Sequence, residues 1–226
     1  MTVHGLGSSG EGVARYEGLT IFVPGGAPGD RLLARVQEVK RNYARAALVA
    51  VEEASPDRVT PACSVAGECG GCQLQHIGYE AQLRLKRQQV ADALERLGKL
   101  TGVTVHPTLG MAEPWGYRNK AQFPVGWRSG RVIAGFFAPG THRIIDIDRC
   151  DIQHPLGNRI MAEVKELAGR YGVRIYDERR HTGVLRHVLA RVGRGTGEAM
   201  AVLVTNGPDF PHGKAIAREL MARIPE

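Results

Sequence analysis

The sequence predicts an α+β protein: a small β-barrel of the oligonucleotide-binding (OB) type, followed by a mixed antiparallel α+β domain with a four-cysteine cluster site. Two observations support this prediction. The first 55 residues consist of short β-rich runs separated by glycine turns, and three cysteines crowd into one loop while a fourth follows a predicted β-meander. We therefore expect a barrel over residues 1–55 and a central domain over residues 56–226.

The barrel prediction depends on three runs of strand-like sequence. Leu19 to Val23 is rich in β-formers, residues 31–36 show an imperfect period of two, and Ala46 to Val51 is a short apolar run. Turn signals such as Gly25-Gly26 separate these runs. Several short strands within so few residues favour a small closed barrel.

Gly5 to Gly10 matches the G-x-G-x-x-G fingerprint of dinucleotide-binding proteins. That fingerprint binds pyrophosphate only between a strand and the N-terminus of a helix. Only four residues precede it and strand-like sequence follows, so we interpret it as a glycine-rich turn.

Residues 56–226 alternate between predicted helices and predicted strands. Helices are expected at residues 79–97, 156–171 and 211–223, a meander over 115–147, a strand at 173–176 and a hairpin from 184–192 and 199–205. Leu83, Val90, Leu94 and Leu97 are predicted to form the apolar face of the first helix. Pro124 predicts that its strand lies at a sheet edge or ends early.

The cysteines predict a metal or cluster site. Cys63, Cys69 and Cys72 are separated by five and two residues, Gly70-Gly71 gives their loop a tight turn, and Cys150 is remote. Iron–sulfur clusters are held by four thiolates, whereas zinc ribbons use two short cysteine pairs. The spacing favours iron–sulfur over zinc. Disulfides fit less well, because no secretory signal opens the chain.

The charge of the chain favours a polyanionic partner. The formal net charge is +7, and between residues 113 and 149 basic side chains outnumber acidic ones by six to three. No apolar run is long enough to span a membrane, and thiols kept as ligands suit a reducing compartment, so we expect a cytoplasmic location.

Two groups of residues are candidates for RNA contact. Arg118, Lys120 and Gln122 share one strand face, where cations can hold phosphates and an amide can reach a base edge; an ordinary basic strand is the alternative. The second group combines a basic loop with the residues after the cysteines, and its members are Lys40, Arg41, Tyr43, Gln75 and His76. The alternatives are a solvated hairpin tip for the basic loop and a structural role for His76.

The cysteine pattern, with Leu74-Gln75-His76 after it, resembles the RNA (uracil-5-)-methyltransferases, most closely those that modify large-subunit ribosomal RNA. The resemblance runs along nearly the whole chain. Other matching stretches are Gly10 to Arg15, Pro28-Gly29-Asp30, Tyr117 to Lys120 and Asp146 to Cys150. The resemblance implies a TRAM domain at the front, a 4Fe-4S cluster on Cys63, Cys69, Cys72 and Cys150, and ribosomal RNA as the partner of a monomeric protein.

The resemblance also implies a further α/β domain that binds S-adenosylmethionine and supplies a cysteine nucleophile. On that basis we expect the central domain of residues 56–226 to be incomplete at its C-terminal end. The cluster would use all four cysteines of this chain, so no catalytic residue is assigned here. We expect the RNA-recognising front portion of a 23S rRNA (uracil-C5-)-methyltransferase, inactive by itself. A free-standing RNA-binding module with a structural zinc or iron–sulfur site, and an electron carrier, are the alternatives.

Overall fold

The computed structural model describes residues 1–226, in ten strands and three α-helices. The strands are β1 (Val3–Leu6), β2 (Gly12–Tyr16), β3 (Leu19–Val23), β4 (Arg31–Val39), β5 (Tyr43–Glu53), β6 (Lys120–Arg128), β7 (Arg131–Phe137), β8 (Ile144–Asp146), β9 (Leu185–Val192) and β10 (Ala199–Thr205). The helices are α1 (Tyr79–Asp92), which continues into a π-helical turn at Ala93–Leu97, α2 (Pro155–Arg170) and α3 (Gly213–Arg223). The α+β class is confirmed.

The chain forms two compact units. The first unit contains residues 1–67 and 72–112, and the second contains residues 68–71 and 113–226. The predicted barrel strands end at Glu53, but the first compact unit continues through α1.

The first unit contains a five-stranded sheet with the order β1-β2-β3-β5-β4. Its two outer strands meet through a bridge between Thr2 and Arg31, where the Val3 N–H donates to the Asp30 carbonyl oxygen at 2.9 Å. The sheet therefore closes on itself and its edges are paired. Small and branched side chains fill the interior: Val3, Ala14, Ile21, Val23, Leu32, Ala44 and Ala46.

A buried ion pair ties the chain leaving the barrel to the turn before β4. Asp30 is fully buried and accepts hydrogen bonds from the backbone N–H groups of Ala27 and Ser55, at 2.7 and 2.9 Å. Arg58 Nη2 lies 2.5 Å from Asp30 Oδ2 and also donates to the Gly25 carbonyl oxygen at 2.6 Å. The carboxylate thus finds several donors inside the protein, as a buried charge requires.

Helix α1 packs through a different face from the one predicted. Ala81 is its buried residue, and Leu85 packs with it against Ala27 and Ile77. Val90 and Leu97, which the sequence placed on the apolar face, are 51 % and 83 % exposed. The prediction was wrong for Val90 and Leu97, whereas Leu83 and Leu94 are half-buried. The helix carries two apolar stripes, and the sequence did not show which of them is buried.

The second unit contains a five-stranded sheet with the order β10-β9-β6-β7-β8. Every pairing in it is antiparallel, as predicted. Helix α2 lies on one face of this sheet, where a Cβ on Gly157 would lie 3.9 Å from the Ala190 side chain. The predicted apolar stripe of α2 is confirmed, since Ile160, Val164 and Leu167 are buried.

Pro124 lies in a central strand, so its predicted position at a sheet edge was wrong. Strand β6 pairs with β9 from Lys120 to Pro124 and with β7 from Val125 to Arg128. Proline has no N–H, and Pro124 lies where the pairing with β9 ends and the pairing with β7 begins. At that point the missing donor interrupts neither ladder.

The strand predicted at residues 173–176 is not formed. Ile175 makes only an isolated parallel bridge to Leu185. Around it, the Tyr176 N–H donates to the Leu185 carbonyl oxygen, and the Arg174 carbonyl oxygen accepts from the N–H groups at the start of β9. Gly183 explains the close approach, because a Cβ there would lie 2.2 Å from the Ile175 carbonyl oxygen.

Candidate nucleic-acid interface and cysteine loop

The cysteine loop begins and ends on one short antiparallel bridge. Arg58 pairs with Ile77, the Val59 N–H donates to the His76 carbonyl oxygen at 3.0 Å, and the Gly78 N–H donates to the Asp57 carbonyl oxygen at 2.8 Å. The intervening residues form turns and bends, with isolated bridge residues at Ala66 and Cys69, and no helix or continuous strand. A short loop whose ends are joined in this way restricts where its cysteines can lie.

The four thiols are half-buried, and none of them is in a disulfide. The Gly71 N–H donates to the Cys69 sulfur at 3.4 Å. Asn158 of α2 holds the backbone of Cys150 on both sides, accepting from its N–H at 2.9 Å and donating to its carbonyl oxygen at 3.0 Å. Sequence reasoning did not identify this role for Asn158.

The structure contains no group of three or more His, Cys, Asp or Glu side chains arranged to hold a metal ion. Cys63 and Cys72 belong to the first compact unit, and Cys69 and Cys150 belong to the second. The donor set still matches the ligand chemistry of a cluster, because four sulfur atoms remain outside disulfides.

Gln75 and His76 are engaged within the protein. The Gln75 side-chain oxygen accepts a hydrogen bond from the Cys63 N–H at 3.3 Å, so this residue supports the cysteine loop. Burial lowers the pKa of His76, because the imidazolium form loses its hydration, and its Nε2 is buried without a hydrogen-bond partner. Contact of either residue with RNA stays a prediction.

The basic residues of the barrel lie at the turn between β4 and β5. Lys40 pairs with Glu38 at 2.6 Å, and Arg41 is exposed beside it. The Tyr43 ring packs edge-on against Phe22, with centroids 5.7 Å apart. Lys40 and Tyr43 are therefore already in contact with other residues of the barrel. The contact of Lys40, Arg41 and Tyr43 with RNA stays a prediction.

The predicted face of β6 is present in the second unit. Lys120 and Gln122 are exposed, while Ala121 and Phe123 between them are buried. Arg118 lies just before β6, is exposed, and its backbone bridges to Gln153. The alternation follows the period of two along a strand with one covered face.

A cation that sequence reasoning missed lies opposite Lys120. Arg191 of β9 is its partner in the antiparallel register, and both residues are exposed. Like charges directly opposite each other destabilise a strand pair. Neither Lys120, Arg191 nor Arg118 forms a salt bridge. Each of these three cations is left without a salt-bridge partner from the protein.

We call the sheet surface opposite α2 the open face of the second unit. Its rows follow the registers of β6, β9 and β10: Lys120 with Arg191 and Met200, Gln122 with Leu189 and Val202, and Pro124 with His187 and Val204. Met200 and Val202 are 47 % and 38 % exposed. Cations and exposed apolar side chains thus lie side by side, which suits a strand of nucleic acid with both phosphates and bases.

Comparison with known proteins shows which proteins the chain resembles. Residues 1–49 match the TRAM domain family. Over its whole length the chain is homologous to RNA methyltransferases. The predicted TRAM domain is therefore confirmed, and so is the likeness to RNA methyltransferases.

Individual relatives and a solved structure make the comparison more specific. The chain is 52 % identical over 225 residues to a protein of Halalkalibacterium halodurans named an uncharacterized RNA methyltransferase, of which it covers 49 %, and 45 % identical over 221 residues to one of Bacillus cereus, of which it covers 48 %. These alignments take in 100 % and 98 % of this chain. The chain therefore spans about half the length of the curated relatives that it matches.

The solved structure is the Pyrococcus abyssi tRNA (uracil-54, C5)-methyltransferase in complex with S-adenosyl-L-homocysteine. It shares 27 % identity with a TM-score of 0.71, over 95 % of this chain and 48 % of that one. The structural neighbour is therefore a uracil-C5 enzyme.

No helix of this chain has the length and apolar character needed to cross a bilayer.

Proposed function

We propose that this chain is the RNA-recognising portion of an S-adenosylmethionine-dependent RNA (uracil-C5-)-methyltransferase, with large-subunit ribosomal RNA as its target. The observation that carries the proposal is the uncompensated pair of Lys120 and Arg191 on the open face. An anion placed between them would relieve their repulsion. The TRAM domain and the likeness to RNA methyltransferases support RNA phosphate as that anion.

In such an enzyme S-adenosylmethionine supplies the methyl group. The residues of this chain would bind and orient the RNA: Lys120, Arg191 and Arg118 through phosphates, and Gln122 through a base edge or ribose hydroxyl. Lys40, Arg41 and Tyr43 of the barrel are proposed as a separate set of RNA contacts. No residue of this chain is assigned to the chemical step.

A fluorescence-anisotropy titration with labelled RNA tests this function. We expect binding whose log K falls linearly with log salt, because each neutralised phosphate releases counterions. A 23S rRNA fragment with a single-stranded uridine loop is compared with a tRNA and with DNA of the same sequence. Affinity that is absent, or unaffected by salt, would contradict RNA recognition by this surface.

A tRNA target is the second candidate, because the solved structural neighbour acts on tRNA. Tighter binding to the tRNA than to the ribosomal fragment at equal salt would select it. RNA recognition itself would stand in either case.

We further propose that Cys63, Cys69, Cys72 and Cys150 hold a 4Fe-4S cluster. Support comes from the number and type of donors, the closed base of the loop and the N–H···S contact at Cys69. Protein purified without oxygen should absorb in the visible range and contain about four iron and four sulfide ions per chain.

The control for the cluster is a matched pair of loop variants. Cys72→Ser should lose most of the iron, whereas Ser64→Ala in the same loop should keep it. Zinc without iron or sulfide would support the structural-zinc alternative.

A further inference from the structure

The second unit contains a cavity of about 630 Å³ that the proposed function has not used. It opens where β9 leaves β6: Pro124 and His187 are the last register partners of the two strands, and both line the cavity. Its size is within the range of sites that hold small molecules.

A β-bulge brings two consecutive polar residues to this cavity. Along β9, His187 pairs with Val204 and Leu185 pairs with Thr205, so Arg186 is an extra residue without a partner on β10. In a regular strand, neighbours point to opposite faces. Because of the bulge, Arg186 and His187 both line the same cavity.

Both residues carry a polar atom that the protein leaves unsatisfied. Arg186 Nε and His187 Nδ1 are buried and have no hydrogen-bond partner. Burial, reinforced by the charge of Arg186, lowers the pKa of His187 and favours the neutral imidazole. Such atoms cost free energy when unpaired, so a ligand reached by a small side-chain rotation would relieve them.

Aromatic rings surround the same space. Trp127 lines it and is 60 % exposed, an unusual position for so large an apolar ring. Phe137 stacks on His142 with centroids 5.3 Å apart, and the Arg186 guanidinium lies 4.6 Å from the Tyr176 ring centroid. All of these residues line the cavity. Flat rings with hydrogen-bonding groups between them suit a planar heterocycle.

The charges at the cavity also favour a nucleotide, whose phosphate is negatively charged. The two acidic side chains are already engaged: Asp177 accepts from the N–H groups of Arg179 and Arg180, and Glu178 Oε2 lies 2.5 Å from His142 Nδ1. Arg143, which also lines the cavity, forms no salt bridge.

We propose that this cavity binds one unstacked nucleobase of single-stranded RNA, as a recognition site additional to the phosphate-binding cations. It lies at the Pro124 and His187 end of the open face, and Lys120 with Arg191 lies at the other end. Lys120 and Pro124 are four positions apart along β6, a rise of about 13 Å, so one short RNA segment can reach both. The inference rests on the proposed function for the source of the base.

The test uses Trp127 as its reporter. The chain has two tryptophans, and Trp115→Phe leaves Trp127 as the only one. We expect quenching of its fluorescence by a single-stranded RNA hexamer, and weaker quenching by uridine or adenosine monophosphate. Arg186→Gln and His187→Ala should each weaken binding by about tenfold, since each removes a hydrogen bond to a buried partner.

Arg128→Gln is the matched control, because it removes the same charge from an exposed position that does not line the cavity. Circular dichroism melting shows whether each variant folds. If Arg186→Gln fails to fold, the base site is tested by His187→Ala and by competition between the monophosphates and the hexamer. No quenching, or quenching that both cavity variants leave unchanged, overturns the base site.

The two proposals fail in different ways. RNA that binds with a normal salt dependence while the cavity variants have no effect removes the base site alone. Monophosphates that bind in the cavity while longer RNA does not bind would remove the RNA function and leave a nucleotide site.

Discussion

The barrel neutralises its buried charge, whereas the open face of the second unit leaves its charges without partners. In the barrel, Asp30 is buried and meets Arg58 together with two backbone N–H donors. On the open face, Lys120 and Arg191 face each other across two strands with no counter-charge. A charge that the protein neutralises itself holds the fold together, whereas a charge that it leaves uncompensated is available to a partner.

The largest effect expected from this comparison is on stability. Asp30→Asn should lower the free energy of unfolding by about 2 to 3 kcal/mol, because it leaves the Arg58 charge without its partner. Urea unfolding followed by circular dichroism measures this. Asp57→Asn is the control, since its pair with Arg84 is exposed and should contribute less than about 0.5 kcal/mol. Equal losses in the two variants would contradict the assignment.

Acid should remove part of the same stabilisation. Burial by itself would raise the pKa of Asp30, but the hydrogen bonds from Arg58, Ser55 and Ala27 outweigh it and lower that pKa below its ordinary value of 3.8. A carboxyl with a lowered pKa in the folded state stabilises above its unfolded pKa and loses that contribution as pH falls through the folded value. The stability difference between wild type and Asp30→Asn should therefore narrow below about pH 4. A difference that stays constant down to pH 2 would contradict this origin.

The open face should show a smaller effect on stability with the opposite sign. Lys120→Gln and Arg191→Gln should each leave stability unchanged or raise it by about 0.2 to 1 kcal/mol, because the repulsion disappears. Each should weaken RNA binding and reduce the salt slope by about 0.7.

Arg218→Gln is the control for this pair. It lies on α3, is exposed and forms no salt bridge, so it should change neither property. A Lys120 or Arg191 variant that destabilises the fold without affecting RNA affinity would show that these cations are structural.

Local pattern was sufficient for much of the fold. Leu19–Val23 is a strand with the bounds predicted, and the period of two placed Phe123 inside and Lys120 outside. These features depend on neighbours along the chain. The sequence predictions failed where contacts between distant segments determine the structure. Pro124 was predicted at a sheet edge, because only the tertiary structure shows that β6 pairs with β9 up to Pro124 and with β7 after it.

The candidate site divides in the same way. The cysteine spacing and the basic face of β6 were readable in the sequence, and the cluster itself stays a prediction. Arg191 was missed because it lies 71 residues from Lys120 along the chain and only strand pairing brings them together. The bulge at Arg186 is likewise invisible until the register of β9 with β10 is known.

By itself the amino-acid sequence determined most of the strands and helices, the number of sulfur donors and the excess of positive charge, because these follow from residue type and short-range period. Tertiary structure alone decided which charges are neutralised, which face of the sheet is left open and where a cavity forms. The physical reason is that burial and pairing depend on segments far apart in the chain, whose meeting no local pattern encodes.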